Sequence, residues 1–223
     1  IYLGEKDMQQ LKIIEHFVRK NYSNIKIIGC KTIREKNGVA CSSRNFLLSL
    51  NEKKIASRIY KYIKNIKKKY KIPILCKDFF IDTYQIPLAK SFGADCILII
   101  LSAVDIKLAK DLYDAASELN ISTLVEVHTH KEAELALSFQ NSIIGINNRN
   151  LNTLKVSLDT TIDLVKIINS HKNPLICESG INTPEDIKFI IKNAGIYNFL
   201  IGESLLKSAD ISLQIRKLMQ ISL

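Results

Sequence analysis

The chain of 223 residues contains no apolar stretch of the roughly 18 to 20 residues that a membrane-spanning helix needs. Its longest apolar run, Cys96 to Leu101, has the length of a strand. No secretory signal peptide is visible at the start, so we expect a cytoplasmic protein that does not bind membranes. The five cysteines form no C-x-x-C pair, which favours reduced thiols over a redox motif or a disulfide framework.

The sequence also lacks the short motifs of several enzyme classes. It has no nucleophilic serine elbow, no P-loop lysine and no dinucleotide-binding fingerprint. His128 and His130 form an H-x-H pair, but they flank a helix start without a third ligand in reach, so no metal site is predicted. No linker rich in Gly, Ser or Pro divides the chain, which predicts a single domain over residues 1–223.

The formal net charge of +10 raises the question of a polyanionic partner. In the densest basic cluster, Lys61 to Lys71, apolar residues are interleaved at helical spacing, as on the solvated face of a helix. The other basic residues are spread along the chain. We therefore expect no nucleic-acid partner, although the tyrosines of the cluster keep nucleic-acid binding as the last-ranked alternative.

Apolar runs of strand length alternate with amphipathic segments along most of the chain. The predicted strands cover residues 25–30, 73–77, 95–101, 122–127, 142–147, 174–178 and 197–201. The predicted helices cover residues 5–20, 51–69, 83–92, 105–119, 130–139, 158–170 and 183–193, with short helical pieces to the end. Such repeated units predict an α/β fold with a parallel sheet, either closed as a (β/α)8 barrel or open and doubly wound.

Helix start and stop signals support these boundaries. Thr129 and Glu132 predict a reciprocal capping box at the start of one helix. Thr183 and Pro184 predict an N-cap and a first helical position at the start of a later one. Gly195 lies where that helix should stop.

Two predicted strands end in side chains of opposite charge. Lys77 follows an apolar run, and these surroundings predict a pKa lowered toward a range that is useful in acid–base chemistry. Glu126 interrupts a buried strand, where a carboxylate is costly unless it is paired or takes part in chemistry. Because parallel strands end at the same edge, Lys77 and Glu126 predict an acid and a base that face one cavity. The alternatives are a surface pair of Lys77 with Asp78 and a structural salt bridge at Glu126.

The later strands end in groups that suit anions. Asn147, Asn148 and Arg149 form a loop with amide donors and a guanidinium fork for a carboxylate or phosphate. Two glycine-containing turns, Glu178-Ser179-Gly180 and Gly202-Glu203-Ser204, follow the last two strands. This placement is the expected phosphate-binding arrangement of a barrel, because backbone N–H groups can surround the anion there.

From about residue 73 to the end, the chain resembles the indole-3-glycerol phosphate synthase family, a (β/α)8 barrel of tryptophan biosynthesis. The matching segments are Pro73-Ile-Leu-Cys-Lys-Asp-Phe-Phe-Ile-Asp-Thr-Tyr-Gln-Ile86, Leu101-Ser102, Glu126-Val127, Gly145-Ile-Asn-Asn-Arg-Asn-Leu151, Glu178-Ser-Gly-Ile-Asn182 and Phe199-Leu-Ile-Gly202. The resemblance implies a carboxy-lyase that closes the indole ring of 1-(2-carboxyphenylamino)-1-deoxyribulose 5-phosphate, losing carbon dioxide and water. It also implies that no metal or organic cofactor is needed, and that the protein associates with or is fused to another tryptophan-pathway enzyme.

The resemblance also assigns roles to individual residues. Lys77 is the implied general acid and Glu126 the implied general base. The other implied catalytic residues are Lys31, Asn147 and Glu178. The implied substrate-binding residues are Arg149, Ser179, Gly180, Gly202 and Glu203, with the last three holding the phosphate through their backbone.

The first third of the chain departs from the family pattern. Gly29 stands where the family has a glutamate, and Arg34-Glu35 replace a Ser-Pro pair, although Lys31 and Gly38 match. The segment that resembles the first barrel helix runs almost directly into one that resembles the end of the second helix. The second strand, which should lie between them, is therefore expected to be missing. We therefore expect a gapped barrel with a displaced first strand, an extra amino-terminal helix and reduced synthase activity. The alternatives are a non-catalytic binding subunit that keeps only the phosphate site, and another phosphosugar isomerase or epimerase.

Overall fold

A computed structural model of the protein describes residues 1–4, 8–22, 24–31, 36, 47–151 and 153–220. These residues form two compact units, one within residues 1–74 and one within residues 75–223. A single domain over residues 1–223 therefore stays a prediction. Within the described ranges, no helix is both long and apolar enough to cross a membrane. The departures from the family pattern at Arg34 and Glu35 lie outside those ranges, as does the matching Gly38.

The first unit contains a short parallel sheet and two helices. Its elements are β1 (Tyr2–Gly4), α1 (Met8–Asn21), β2 (Ile28–Cys30) and α2 (Leu50–Tyr70). β2, the first predicted strand, pairs with β1 and places Gly29 opposite Leu3 in a separate two-stranded sheet. Among the described residues this strand therefore belongs to a different sheet from the later strands, which agrees with the expected gap. The sequence does not predict β1, because three residues carry too little periodicity.

The second unit is a parallel sheet whose strands are connected by helices. Its strands are β3 (Leu75–Cys76), β4 (Cys96–Ile100), β5 (Ser122–Val127), β6 (Ile143–Asn147), β7 (Leu175–Glu178) and β8 (Asn198–Leu200). Its helices are α3 (Gln85–Ser91), α4 (Ile106–Glu118), α5 (His130–Ala136), α6 (Asp159–Ile168), α7 (Pro184–Ala194), α8 (Glu203–Lys207) and α9 (Ile211–Met219). The strands pair in chain order from β3 to β8. In the described part of the chain this sheet has six strands, which confirms a gapped (β/α) barrel.

Side chains of the six strands alternate between the two sides of the sheet. Ile97 and Ile99 of β4 pack in the large apolar cluster shared with the helices, whereas Leu98 belongs to a smaller cluster on the other side. Leu124 of β5 belongs to that smaller cluster as well. Since side chains repeat every second residue, Glu126 lies on the same side as Leu124, at the carboxyl end of the strand.

The helix signals agree with the structure at one helix and differ at another. Thr183 caps α7 in a reciprocal box with Asp186, and Gly195 ends that helix in the left-handed conformation, as predicted. At α5 the predicted reciprocal box is wrong. The Thr129 hydroxyl accepts a bond from the Glu132 N–H at 3.3 Å, but the Glu132 carboxylate accepts from the backbone N–H of His128 at 2.7 Å. The carboxylate is drawn there because it also lies 3.4 Å from the ring Nδ1 of His128.

Candidate active site

The strand register brings predicted site residues together. Glu126 of β5 is paired with Gly145 of β6, and Asn147 of β6 is paired with Glu178 of β7. These positions are the carboxyl ends of neighbouring parallel strands, where working side chains of a barrel gather. Lys77 follows β3 directly and reaches the same place.

Lys77 bridges two buried carboxylates. Its Nζ lies 2.9 Å from Oε2 of Glu126 and 3.0 Å from Oε2 of Glu178. The Lys77 side chain is 41% exposed, whereas each carboxylate side chain is 2% exposed. The ammonium group therefore stands between the two carboxylates and the solvent, where a small molecule can reach it.

The pKa of Lys77 moves in the direction opposite to the sequence-based expectation. Burial does lower it, but the charges of Glu178 and Glu126 outweigh burial and raise the pKa above its ordinary value. The predicted lowering is therefore wrong. The apolar flanks of Lys77 are visible in the sequence, whereas two carboxylates from distant strands are not. Lys77 is held in its protonated, acidic form.

The two carboxylates differ in their ionisation. Burial raises the pKa of Glu126, but His128, Lys77 and Asn147 outweigh burial and lower it to about 2. Burial and the charge of Glu126 raise the pKa of Glu178 to about 7, against the opposing effect of Lys77. Neighbouring carboxylates whose pKa values are pushed apart can serve as an ionised base and as a group that exchanges protons near neutrality.

The position of Glu178 depends on the glycine beside it. A Cβ atom on Gly145 would lie 1.9 Å from Oε1 of Glu178. That oxygen is buried and has no hydrogen-bond partner among the described residues. A buried carboxylate oxygen without a donor favours the protonated form, which agrees with the raised pKa of Glu178.

Asn147 connects the carboxylates to an anion-binding arginine. Its Nδ2 donates to Oε1 of Glu126 at 3.1 Å, and its Oδ1 accepts from the backbone N–H of Arg149 at 3.0 Å. The guanidinium of Arg149 pairs with one carboxylate oxygen of Glu203, and the other oxygen lies 2.5 Å from Nζ of Lys207. Arg149 therefore pairs through one nitrogen with a carboxylate of the chain itself, while its other terminal nitrogen donates to the Leu154 carbonyl at 3.5 Å.

The turn after β7 has left-handed backbone at two consecutive residues. The φ angles are 64° at Ser179 and 86° at Gly180. Asn148 Nδ2 donates to the Ser179 carbonyl at 3.1 Å, and Asn148 Oδ1 accepts from the N–H and the hydroxyl of Thr161 at 3.1 and 2.8 Å. Asn148 thus fixes the turn to the first part of α6. A Cβ on Gly180 would lie 2.8 Å from Val156. The position therefore requires glycine for two reasons, the positive φ angle and this close approach.

A cavity of about 440 Å³ opens beside these groups. Lys77 and Arg149 contribute to its wall, together with the Ser179–Gly180 turn and the Gly202–Ser204 turn. Lys207 lies at the same cavity. The lysine that contacts both carboxylates and the two turns predicted to bind phosphate therefore share one space large enough for a small ligand.

Lys31 follows β2 in the first unit and is exposed, and its catalytic role stays a prediction. His128, which the sequence predicts only to flank a helix cap, lies next to Glu126. The available signal was its position two residues after Glu126, since alternation puts both on one side of the sheet. The described residues hold no group of three or more His, Cys, Asp or Glu side chains suited to a metal ion.

The six-stranded parallel sheet with its polar groups at the strand ends defines a (β/α)-barrel protein. A mutant tryptophan synthase alpha-subunit from Pyrococcus furiosus has a similar structure, with a TM-score of 0.60 and 14% identity, covering 99% of this chain and 96% of that chain. 3-Hexulose-6-phosphate synthase from Salmonella typhimurium has a TM-score of 0.55 and 18% identity, covering 72% and 78%. At these identities the likeness concerns the fold alone.

The family model of indole-3-glycerol phosphate synthase matches residues 45–218, and the chain belongs to this family. Curated relatives of that name include those of Laribacter hongkongensis, 44% identical over 62% of this chain and 52% of the relative, and of Polaromonas naphthalenivorans, 43% identical over 67% and 56%. The relative from Legionella pneumophila strain Paris is 44% identical over 71% and 60%. The chain thus spans little more than half the length of these relatives. Gly29 and Lys31 precede the range that the family model matches.

Proposed function

We propose that this chain catalyses the indole-3-glycerol phosphate synthase reaction. The observation that carries the proposal is the contact of Lys77 Nζ, within 3.0 Å, with two buried carboxylates whose pKa values are shifted in opposite directions. Ring closure with loss of carbon dioxide and water needs a proton donor and then a proton acceptor at one place. Lys77, Glu126 and Glu178 supply these groups beside a cavity.

In the first step Lys77 acts as the general acid. The ring carbon that carries the substrate carboxylate attacks the ketone carbon, and the ketone oxygen takes a proton from Lys77 and becomes a hydroxyl. The carboxylate then leaves as carbon dioxide, and its bonding electrons restore the aromatic ring. The raised pKa of Lys77 keeps the proton available at neutral pH until the ketone oxygen develops negative charge.

In the second step the new hydroxyl leaves as water. Glu126 is ionised and accepts the proton that the neighbouring carbon loses as the ring double bond forms. Glu178, with a pKa of about 7, supplies the proton that the departing hydroxyl needs. The separation of the two pKa values therefore gives each carboxylate one direction of proton transfer.

The substrate phosphate is proposed to bind at the two turns of the cavity. The backbone around Gly180 and Gly202 can approach an anion closely, and the ammonium of Lys207 lies at the same wall. Arg149, which pairs with the Glu203 carboxylate in the free protein, is proposed to bind the substrate carboxylate.

The proposal is tested by following the indole fluorescence that develops from the substrate with the purified 223-residue chain. Lys77→Ala and Glu126→Gln are each expected to lower kcat by about 10²- to 10⁴-fold, the usual effect of removing a general acid or base. Lys110→Ala on α4 and Glu134→Gln on α5 remove exposed groups of the same types and should leave kcat unchanged. We expect a slower wild-type rate than in relatives that carry a glutamate at the position of Gly29.

Two outcomes would overturn this proposal. The first is a wild-type chain that binds inorganic phosphate but forms no indole, which is the behaviour of a non-catalytic binding subunit. The second is indole formation that Lys77→Ala leaves unchanged, since the acid would then lie elsewhere.

We further propose that the protein works in the reducing cytoplasm. The four cysteines that the structure describes, Cys30, Cys76, Cys96 and Cys177, all carry free thiols. Burial raises the pKa of Cys96 to about 11 and also raises the pKa of Cys177, which disfavours the thiolate that disulfide exchange requires. Association with or fusion to another tryptophan-pathway enzyme stays a prediction.

A further inference from the structure

His128 is a buried histidine that the mechanism above does not use. Its side chain is 8% exposed, and its two ring nitrogens face different carboxylates. Nε2 lies 3.3 Å from Oε1 of Glu126, and Nδ1 lies 3.4 Å from Oε2 of Glu132. Nε2 has no partner at hydrogen-bond geometry among the described residues, so its link to Glu126 is mainly one of charge.

The surroundings of the ring favour the doubly protonated imidazolium. Glu126 faces it from β5 and Glu132 from α5, and the hydroxyl of Ser102, after β4, lies 3.5 Å from Nδ1. A neutral ring carries no charge to balance two carboxylates, whereas the imidazolium attracts both, at 3.3 and 3.4 Å. Burial lowers the pKa of His128, but Glu126 and Glu132 outweigh burial and raise it to about 9.

Glu132 is itself held in place toward the ring. Its carboxylate accepts from the backbone N–H of His128 at 2.7 Å and therefore does not complete the capping box of α5. One carboxylate thus contacts both the backbone and the ring of the same histidine. The structure uses Glu132 to fix His128, and His128 in turn faces Glu126.

The proposed general base Glu126 consequently has two cationic neighbours, and only one of them loses its charge during the proposed reaction. Lys77 contacts Oε2 of Glu126, whereas His128 and Asn147 contact Oε1. In the proposed reaction Lys77 gives up its proton in the first step and becomes neutral. His128 faces the other oxygen of Glu126, takes no part in this proton transfer and keeps its charge. We propose that His128 is a positioning residue that holds Glu126 ionised and oriented after Lys77 has donated its proton.

This inference rests on the proposed function and deepens it, so its test has a kinetic arm and an independent arm. In the kinetic arm, His128→Gln keeps a donor but removes the positive charge. The acidic limb of the kcat–pH profile should move upward by about one pH unit or more, which is a loss of about 10-fold in kcat on that limb per unit. KM should stay within about 2-fold, because His128 does not line the cavity.

The matched control is His130→Gln, which removes the exposed partner of the same H-x-H pair and should leave the profile unchanged. Glu132→Gln should move the acidic limb in the same direction as His128→Gln, but less, because the ring then keeps one carboxylate. An acidic limb that stays in place in His128→Gln would overturn the inference while the proposed function stands.

The independent arm is a histidine NMR titration of the free protein. His128→Gln identifies the His128 signal among the four histidines. The signal should remain that of an imidazolium at about pH 8, where an ordinary histidine with a pKa of about 6.5 is neutral. Titration near 6.5 would overturn the inference whether or not the enzyme turns over. An imidazolium in a wild-type chain that forms no indole would refute the proposed function, and the catalytic role of His128 with it.

Discussion

Glu178 is the residue at which stability and chemistry oppose each other most directly. A carboxyl group with a raised pKa stabilises the fold while it is protonated. That contribution is present below the ordinary pKa of 4.5 and is lost as the pH rises through about 7. The protein therefore loses stability at neutral pH, where this carboxyl group becomes ionised.

This opposition predicts that Glu178→Gln is more stable than the wild type at about pH 8, although it should be nearly inactive. The difference in free energy of unfolding should shrink as the pH falls from 7 toward 4.5, because the wild-type carboxyl group then becomes protonated. Urea unfolding at both ends of this range measures the difference, with Glu134→Gln as the control. A difference that does not change with pH would contradict the raised pKa of Glu178.

Gly145 gives a second prediction at the scale of single residues. Gly145→Ala should cost about 1 to 3 kcal/mol, a typical price of overpacking, because its Cβ would lie 1.9 Å from Oε1 of Glu178. Since Glu178 must turn away from Lys77, kcat should also fall by about 10-fold or more. Gly4→Ala is the control, because a Cβ there meets nothing within 4 Å. If Gly145→Ala combined with Glu178→Ala does not recover stability, the clash is not the cause.

The candidate site shows which residue properties can be predicted from sequence. Lys77, Glu126, Asn147 and Glu178 were predictable as neighbours because each lies at the end of an apolar run, and parallel strands end together. The direction of the Lys77 pKa was not, because it depends on how many carboxylates meet the ammonium group in space. The position of His128, two residues after Glu126, indicates a contact with that carboxylate, but its second contact, with Glu132, follows only from the local fold where β5 leads into α5.

At the scale of elements, the two threonine N-caps should contribute differently to the free energy of unfolding. Thr183 takes part in a reciprocal box with Asp186, whereas Thr129 makes only one of the two bonds with Glu132. Thr183→Ala should therefore lower the free energy of unfolding by about 1 kcal/mol, and Thr129→Ala by less. Chemical denaturation measures both. A larger loss for Thr129→Ala would show that the bond from Glu132 to His128 does not weaken the cap.

The strands and helices of the second unit were predictable because each strand is a short apolar run between clear helix signals. Their observed bounds differ from the predicted ones by at most two residues for the strands. The edge strands are short, since β3 has two residues and β8 has three. Among the described residues β3 and β8 are the edges of this sheet, and short edge strands limit pairing with other chains.

At the scale of the whole molecule, the family resemblance accounts for the later part of the chain but not for its first part. Residues 45–218 match the family, and they contain Lys77, both carboxylates and both turns of the cavity. Gly29 and Lys31 precede that range. The near-fusion of two helices was predictable from the sequence, and in the structure they form the continuous α2 (Leu50–Tyr70), with no strand between them. The new pairing of β2 with β1 was not, because no pattern within three residues specifies a partner strand.

We propose that the strands of the second unit, β3 to β8, suffice for indole ring closure. This proposal is tested most directly with substrate labelled at the ring carboxyl carbon, by measuring released carbon dioxide and indole product in the same reaction of the full chain. We expect one indole for each labelled carbon dioxide, and loss of both in Lys77→Ala. Consumption of the substrate with the label retained would indicate an isomerase, and no consumption would indicate a binding protein; either result would contradict the account.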